Sequence, residues 1–239
     1  MALKWSLVLG LVLSGAAIGQ TTIPATAPAT APVATLPAAD QTTPKGTLRM
    51  LFAATDAGDG PTIRSLLYTS SPLEEKMADT MANMSSAMAA LQKAMKESFG
   101  EAQTKAQLGD IAAAAKMRDD LLAKQPEQID GDTAVIHLEG MGNFRPVDLK
   151  KVDGKWKILI GKSFEKADPA AVEKQLAATS IQIKVIRDVA VDVAAGKHKN
   201  VSDVKQTLDA RVRQAIMQYV QDQSKAATQP STAPATQPK

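Results

Sequence analysis

The chain has 239 residues, 44% of them hydrophobic and 3% aromatic, and 28 Lys and Arg against 25 Asp and Glu give it a formal net charge of +3. It contains no cysteine, which excludes disulfide bonds, thiolate metal sites and cysteine nucleophiles. Basic and acidic residues are interleaved without a basic stripe, and aromatic rings are scarce, so a nucleic-acid partner is not expected.

The N-terminal segment has the features of an export signal. Lys4 supplies a positive start, residues 5–18 form an apolar run, and Ala17-Ile18-Gly19 is a small-x-small cleavage site. The run is about 14 residues long, short of the ~20 that span a bilayer. We therefore predict cleavage near Gly19, export to a periplasmic or extracellular location, and no stable membrane insertion of the mature chain. An uncleaved anchor is the alternative.

Two low-complexity segments rich in Ala, Thr and Pro flank the central part of the chain. They carry almost no large apolar side chains, so burial cannot offset the entropy lost on ordering them, and we predict disordered spacers. The predicted organisation is a signal peptide (1–19), a linker (20–43), an α+β domain (44–165), a C-terminal helical pair packed on it (168–224) and a disordered tail (225–239).

Three helices are predicted in the first part of the body. Thr43-Pro44 begins the first and Pro61 the second, which carries Ile63, Leu66 and Leu67 on one side. The third covers residues 72–99 and would be about 42 Å long. Its apolar side chains recur at steps of four and three, a heptad spacing that makes one stripe on a single face. The members of this stripe are Met77, Met81, Met84, Met88, Leu91 and Met95.

The pattern changes from helical to alternating after Pro126. A helix is predicted over 108–124, and alternation over 133–139, 146–152 and 155–161 predicts three antiparallel strands. Asp153-Gly154, between the last two, is typical of a two-residue hairpin turn, which needs positive φ. A fourth strand is expected around Phe144 or Phe164.

Two long helices complete the body. Asp168-Pro169 begins one that ends near Gly196, and Asn200 caps the other. The second is expected to turn Val201, Val204, Leu208, Val212, Ala215, Ile216 and Tyr219 inward. Helices, then strands, then helices predict an α+β fold that is helix-rich overall, with a small antiparallel sheet of three to four strands packed against long helices.

Two stretches carry a family resemblance. Residues 53–59 (Ala-Ala-Thr-Asp-Ala-Gly-Asp), with the apolar residues that follow them, resemble the opening helix pair of the nuclear transport factor two-like superfamily, cone-shaped α+β domains that include SnoaL-like members. Residues 149–158 (Leu-Lys-Lys-Val-Asp-Gly-Lys-Trp-Lys-Ile) are similar to the strand, Asp-Gly turn and Trp-bearing strand near the end of many such domains. The resemblance covers residues 44–162, and the long Met helix and everything after Asp168 depart from it. It implies the superfamily's fold. It implies no catalytic residue, because the pocket Asp, His or Tyr residues of its enzymes are not matched.

Candidate acid–base and metal-binding groups are few. His137 alternates with Ile136 and Leu138 and is expected to face water, and His198 lies in a predicted loop. Neither belongs to a cluster with ligand spacing, so structural or surface roles are predicted for both and no metal is expected. Residues 130–132 (Asp-Gly-Asp) lack the further acidic ligands of a calcium loop and predict a turn.

The Met stripe allows three interpretations. In the first, the thioethers of Met77, Met81, Met84 and Met88 are ligands for copper(I), a soft ion. Packing beneath neighbouring helices is the favoured interpretation, because Met is an adaptable core residue and the stripe continues through Leu91 and Phe99, which cannot bind metal. In the third, the stripe is exposed and docks a partner helix or a second copy.

These observations predict an exported, non-catalytic binding or cell-envelope accessory module without a cofactor. Its partner would be a protein or a small apolar ligand. The alternatives are a small pocket enzyme of the same superfamily and a helix-mediated protein–protein interaction module. Two convergent titratable groups would favour the enzyme, and a filled apolar core the module. A ligand is expected between the sheet and the first helices, at Phe52, Leu67, Ile136, Val147, Trp156 and Ile158.

Overall fold

The structure is a computed structural model and describes residues 40–138, 146–165 and 167–228. The predicted signal peptide, nearly all of the first linker, most of the tail and Phe144 lie outside these residues. The helices are α1 (Pro44–Ala57), α2 (Gly60–Leu66), α3 (Pro72–Phe99), α4 (Glu101–Leu108), α5 (Ile111–Lys124), α6 (Pro169–Ala194) and α7 (Val201–Thr228). The strands are β1 (Leu67–Tyr68), β2 (Glu127–Asp130), β3 (Thr133–Ile136), β4 (Val147–Val152) and β5 (Lys155–Leu159), and a short 3-10 helix (Gly161–Phe164) follows them. The predicted helix-rich α+β class is confirmed. Within the described ranges, no helix is both long and apolar enough to cross a membrane.

Gly100, before α4, makes no side-chain cap, and the other described α-helices begin where the sequence places side-chain caps. In each case a side-chain oxygen accepts a hydrogen bond from a backbone N–H in the first turn, which satisfies a donor that has no partner within the helix. The capping residues are Thr43, Asp59, Ser71, Asp110, Asp168 and, for α7, Asn200. Glu74 reaches back as a capping box predicts, but it accepts from the N–H of Ser70 rather than from that of the cap Ser71.

The sheet has the order β1-β5-β4-β3-β2. Strands β2 to β5 form an antiparallel meander, and β1 is parallel to β5. Asp153 and Gly154 have φ of 51° and 77°, so the predicted hairpin turn between β4 and β5 is confirmed. The predicted turn at residues 130–132 is also confirmed, because it joins β2 to β3 with Gly131 at a φ of 56°.

Several predicted boundaries are wrong. The sheet has five strands rather than three or four and is mixed, because Leu67, predicted on the second helix, pairs with Ile158. Phe164 lies in the 3-10 helix and not in a strand. The predicted helix over 108–124 begins only at Ile111, since Gly109 at a φ of 87° separates it from α4. β1 is too short to show a period, and β2 is an exposed edge strand whose polar residues give no alternating apolar signal.

Two hydrophobic cores lie along α3. The first packs the N-terminal part of α3 and the helices α1 and α2 against the sheet, and the second packs the C-terminal part against α6 and α7. From α3, Met77, Ala78 and Ala82 belong to the first core, and Met84, Ala87, Leu91, Ala94 and Met95 belong to the second. Both cores therefore share helix α3, and they also share α6, whose Val172 and Leu176 are buried in the first core.

The end of α1 lies directly on α3. Ser85 Oγ donates to Thr55 O at 2.9 Å, and Ser86 Oγ donates to Gly58 O at 2.8 Å. A Cβ added to Gly58 would lie 2.2 Å from the Cβ of Ala89. Two residue properties are therefore required at position 58, a positive φ (68°) and the absence of a side chain.

We predict that Gly58→Ala destabilises the protein far more than Gly196→Ala. Gly196 has almost the same φ, 71°, but an added Cβ there would meet nothing within 4 Å. Gly196→Ala should therefore cost only the left-handed backbone penalty, about 1 kcal/mol, whereas Gly58→Ala should cost about 3 kcal/mol because overpacking adds to it. Urea unfolding followed by circular dichroism measures both free energies. If both variants lowered the free energy of unfolding by the same amount, the close contact between α1 and α3 at Gly58 would be unimportant for stability.

Candidate functional site

The residues predicted to line an apolar pocket lie together in the first core. Phe52, Leu67, Ile136, Trp156 and Ile158 are each at most 6% exposed, and Val147 is partly buried and packs against them. Side chains that line a cavity large enough for water keep accessible surface, and these keep almost none. The interior beside Trp156 is therefore packed, and binding of a ligand there stays a prediction.

The segment before α1 closes one side of this core. Gln41 pairs with Trp156 through two hydrogen bonds, from Trp156 N to Gln41 O at 2.9 Å and from Gln41 Nε2 to Trp156 O at 3.2 Å. Thr47 Oγ1, wholly buried on α1, donates to the same Trp156 oxygen at 3.3 Å. These contacts hold the beginning of α1 against β5, so the packing around Trp156 is supported by main-chain contacts as well as by apolar ones.

The thioethers of the Met stripe are divided between the two cores. Met77 is buried in the first core and Met81 packs against it, whereas Met84 and Met95 are buried in the second core and Met88 packs against that. Their sulfur atoms lie among the apolar side chains of the protein itself. The arrangement is that of core packing.

A charged cluster lies at the interface of α1 and α5, next to the first core. The Arg118 guanidinium lies over the Phe52 ring, with Cζ 4.8 Å from the ring centroid, and Arg118 Nη2 forms an ion pair with Asp56 Oδ2. Lys45 Nζ donates to Ala123 O at 3.3 Å. Sequence reasoning missed this cluster. The signal that could have found it is the spacing of Lys45, Arg49, Phe52 and Asp56, which places these residues on one stripe of α1.

Asp192 joins the end of α6 to α7. Its side chain is 12% exposed and accepts from Lys197 Nζ at 2.6 Å and from Arg211 Nη1 at 2.7 Å. Hydrogen bonds from Lys197 and then Arg211 hold the pKa of Asp192 below its ordinary value of 3.8. The connection between the two helices is thus clamped by one carboxylate with two cationic partners.

The two histidines lie in different parts of the fold. His137, directly after β3, is exposed, as predicted. The His198 side chain, in the connection between α6 and α7, is only 6% exposed, with Nδ1 3.4 Å from Asp203 Oδ2. His198 therefore contributes to the packing of the connection rather than to the surface. Across the described residues, no group of three or more His, Asp or Glu side chains is placed to hold a metal ion.

The last turns of α7 carry apolar side chains outside both cores. Val212 and Ala215 pack against the second core. Beyond them, Met217 and Val220 are 62% and 55% exposed. Ile216 and Tyr219, predicted to face inward, are only partly buried. We call Ile216, Met217, Tyr219 and Val220 the α7 end patch.

Comparison of the chain with protein-family models, with curated proteins and with solved structures finds no match. The stretches that resemble the nuclear transport factor two-like superfamily occupy the end of α1 with the beginning of α2, and the β4–β5 hairpin. Both pack into the first core. Membership of that superfamily stays a prediction.

We predict that Asp192→Asn destabilises the protein by an amount that depends on pH. Because the folded-state pKa of Asp192 is lowered, its contribution is complete above about pH 5 and is lost as the pH falls through the ordinary and then the folded pKa value. The difference in melting temperature between wild type and variant should therefore be constant from neutral pH to about pH 5 and shrink in more acidic buffer. Asp188→Asn, which removes an exposed partner of Lys184 on α6, is the control. A difference independent of pH would contradict the ionic clamp.

We also predict that the Met stripe can be replaced by Leu. Met84→Leu combined with Met88→Leu conserves volume and should change the free energy of unfolding by less than about 1.5 kcal/mol. Copper(I) titration of the mature protein should show no binding tighter than micromolar, because the thioethers are used in packing. Tight binding that disappears in the double variant would identify a copper site instead.

Proposed function

We propose that this chain is an exported, non-catalytic binding module that docks a protein partner through the α7 end patch. The observation that carries the proposal is the exposure of Met217 and Val220, 62% and 55%, next to the partly buried Ile216 and Tyr219. Apolar groups clustered on the surface mark interaction sites, and an amphipathic helix that lays such a face into a groove is a recurring recognition mode.

The patch lies on a helix whose earlier turns are attached to the body of the protein. Val201 and Val204, at the beginning of α7, are buried in the second core, and Arg211 is bound to Asp192 on α6. The side chains that would contact a partner are therefore presented on an anchored helix, which lowers the entropy lost on binding.

The packed interior beside Trp156 supports a module over a small pocket enzyme. An enzyme of this kind needs an open pocket with convergent titratable groups, whereas Trp156 and Ile158 are covered by the protein's own side chains. We propose a nuclear transport factor two-like body on the resemblance of residues 53–59 and 149–158. The signal-like start of the chain supports export and an accessory role in the cell envelope.

Site-specific photo-cross-linking in exporting cells tests the docking surface. We predict that a photoreactive residue at position 217 gives a discrete adduct with one protein, because Met217 lies within the patch. The same residue at position 205 should not give it, since the exposed Lys205 lies nearer the beginning of α7. Val220→Asp should abolish the adduct at 217 while leaving the melting temperature nearly unchanged, as exposed substitutions do.

Two results would contradict the proposal. Identical adducts from positions 217 and 205 would show non-specific proximity. An adduct that contains only two copies of this chain, together with a dimer in analytical ultracentrifugation that Val220→Asp dissociates, would show self-pairing instead of a distinct partner.

A further inference from the structure

Arg49 is a buried residue on the face of α1 that packs against α5. On the stripe of α1 that faces α5, Lys45 one turn earlier reaches Ala123 O, and Phe52 and Asp56 on the other side contact Arg118. Residues three and four apart on a helix are neighbours on one face. Arg49 is thus placed between two points at which α1 touches α5.

The Arg49 guanidinium has no counter-ion among the described residues. Arg49 is 7% exposed, and its Nε is fully shielded with no hydrogen-bond partner. No carboxylate oxygen in the described ranges lies within 4.0 Å of an Arg49 nitrogen. Arg118 Nε in the same interface is also shielded and without a partner, although Arg118 Nη2 is paired with Asp56. Asp56 is thus paired with Arg118, and no carboxylate of the described residues is paired with Arg49.

Such an arrangement is unfavourable unless an anion completes it. An arginine side chain does not lose its proton in proteins, so Arg49 cannot become neutral as a buried lysine can. A buried charge without a partner is strongly destabilising, and a buried donor without an acceptor adds to the loss. In this interface the charge of Arg49 is not paired with a carboxylate of the described residues, and Arg49 and Arg118 each keep a shielded Nε–H donor without an acceptor.

We propose that Arg49 and Arg118 form a binding site for a small oxyanion, a carboxylate or a phosphate group. The planar guanidinium offers two parallel N–H groups that match the oxygens of either group. Phe52 supplies an apolar wall beside the site, and the slight exposure of Arg49 limits access to a small anion. The site is separate from the α7 end patch, so it is a further activity of the body and not part of partner docking.

Thermal unfolding of the mature chain at constant ionic strength tests the proposal. Inorganic phosphate and acetate are each added in place of chloride, and the anion with the larger effect identifies the class. The wild type should melt at a higher temperature as the bound anion is added, because a ligand that binds only the folded state stabilises it. In chloride, Arg49→Met should be more stable than the wild type, since an apolar side chain replaces an unpaired charge.

Arg49→Met and Arg49→Lys separate the site from general salt effects. Phosphate stabilises many proteins by exclusion from their surface, and that effect should remain in all variants. The anion-specific rise should disappear in Arg49→Met, and calorimetry should show affinity weaker by roughly tenfold to a hundredfold. Arg49→Lys keeps the charge without the planar fork and should bind with intermediate affinity. Arg187→Met is the matched control, because Arg187 is an exposed arginine bound to Asn83 Oδ1, and it should respond as the wild type does.

Three results would overturn the proposal. The first is a wild-type melting temperature that changes no more with phosphate or acetate than that of Arg49→Met. The second is coupling between Arg49→Met and Asp119→Asn in a double-mutant cycle, which would make Asp119 on α5 the counter-ion. The third is the same coupling with Glu139→Gln, which would assign that role to a residue outside the described ranges.

Discussion

The whole structure depends on the apolar stripe of α3, because that one face must fit two different surfaces. Toward its N-terminus the stripe meets α1, α2, the sheet and the beginning of α6, and toward its C-terminus it meets the rest of α6 and α7. Met is suited to this task, since its unbranched, flexible side chain adapts to surfaces of unequal shape. The heptad stripe of α3 therefore packs against two cores within one chain and does not form a coiled-coil interface between two identical helices.

The same constraint explains the small residues where α1 meets α3. Gly58 and Gly60 lie against Ala89 and Ser86, and Ser85 and Ser86 bond the carbonyl oxygens at the end of α1. Close approach lets the side chains of α3 satisfy polar groups that a helix C-terminus otherwise leaves without partners. The position of α1, and with it the position of Phe52 and Arg49, is consequently set by contacts with α3.

The β4–β5 hairpin and all described α-helices except α4, which has no side-chain cap, could be predicted because their signals are local. Caps such as Ser71 and Asp168, and the turn at Asp153-Gly154, act within a few residues. β1 could not be predicted, since Leu67 becomes a strand residue only by pairing with Ile158, far away in sequence. The predicted pocket residues do meet, but periodicity reports which face is apolar and not whether facing surfaces leave a space. Arg49 and Asp192 were missed for a related reason. A charged residue in a helical pattern is ordinarily solvated, and its burial follows from tertiary packing.

Arg49 and Asp192 are two buried charged residues of the described ranges with opposite surroundings, and the contrast bears on function. Asp192 lies between Lys197 and Arg211, so its charge is more than compensated and it fixes the path of the chain from α6 into α7. Arg49 lies in an equally shielded position without such partners in the described ranges. A protein that needed Arg49 only for packing would be better served there by an apolar side chain of similar volume. A buried arginine with unused donors is instead suited to holding a group that the chain does not itself provide. Beside the second core, the buried charge of Asp192 is fully paired. At the edge of the first core, the buried charge of Arg49 has no partner among the described residues.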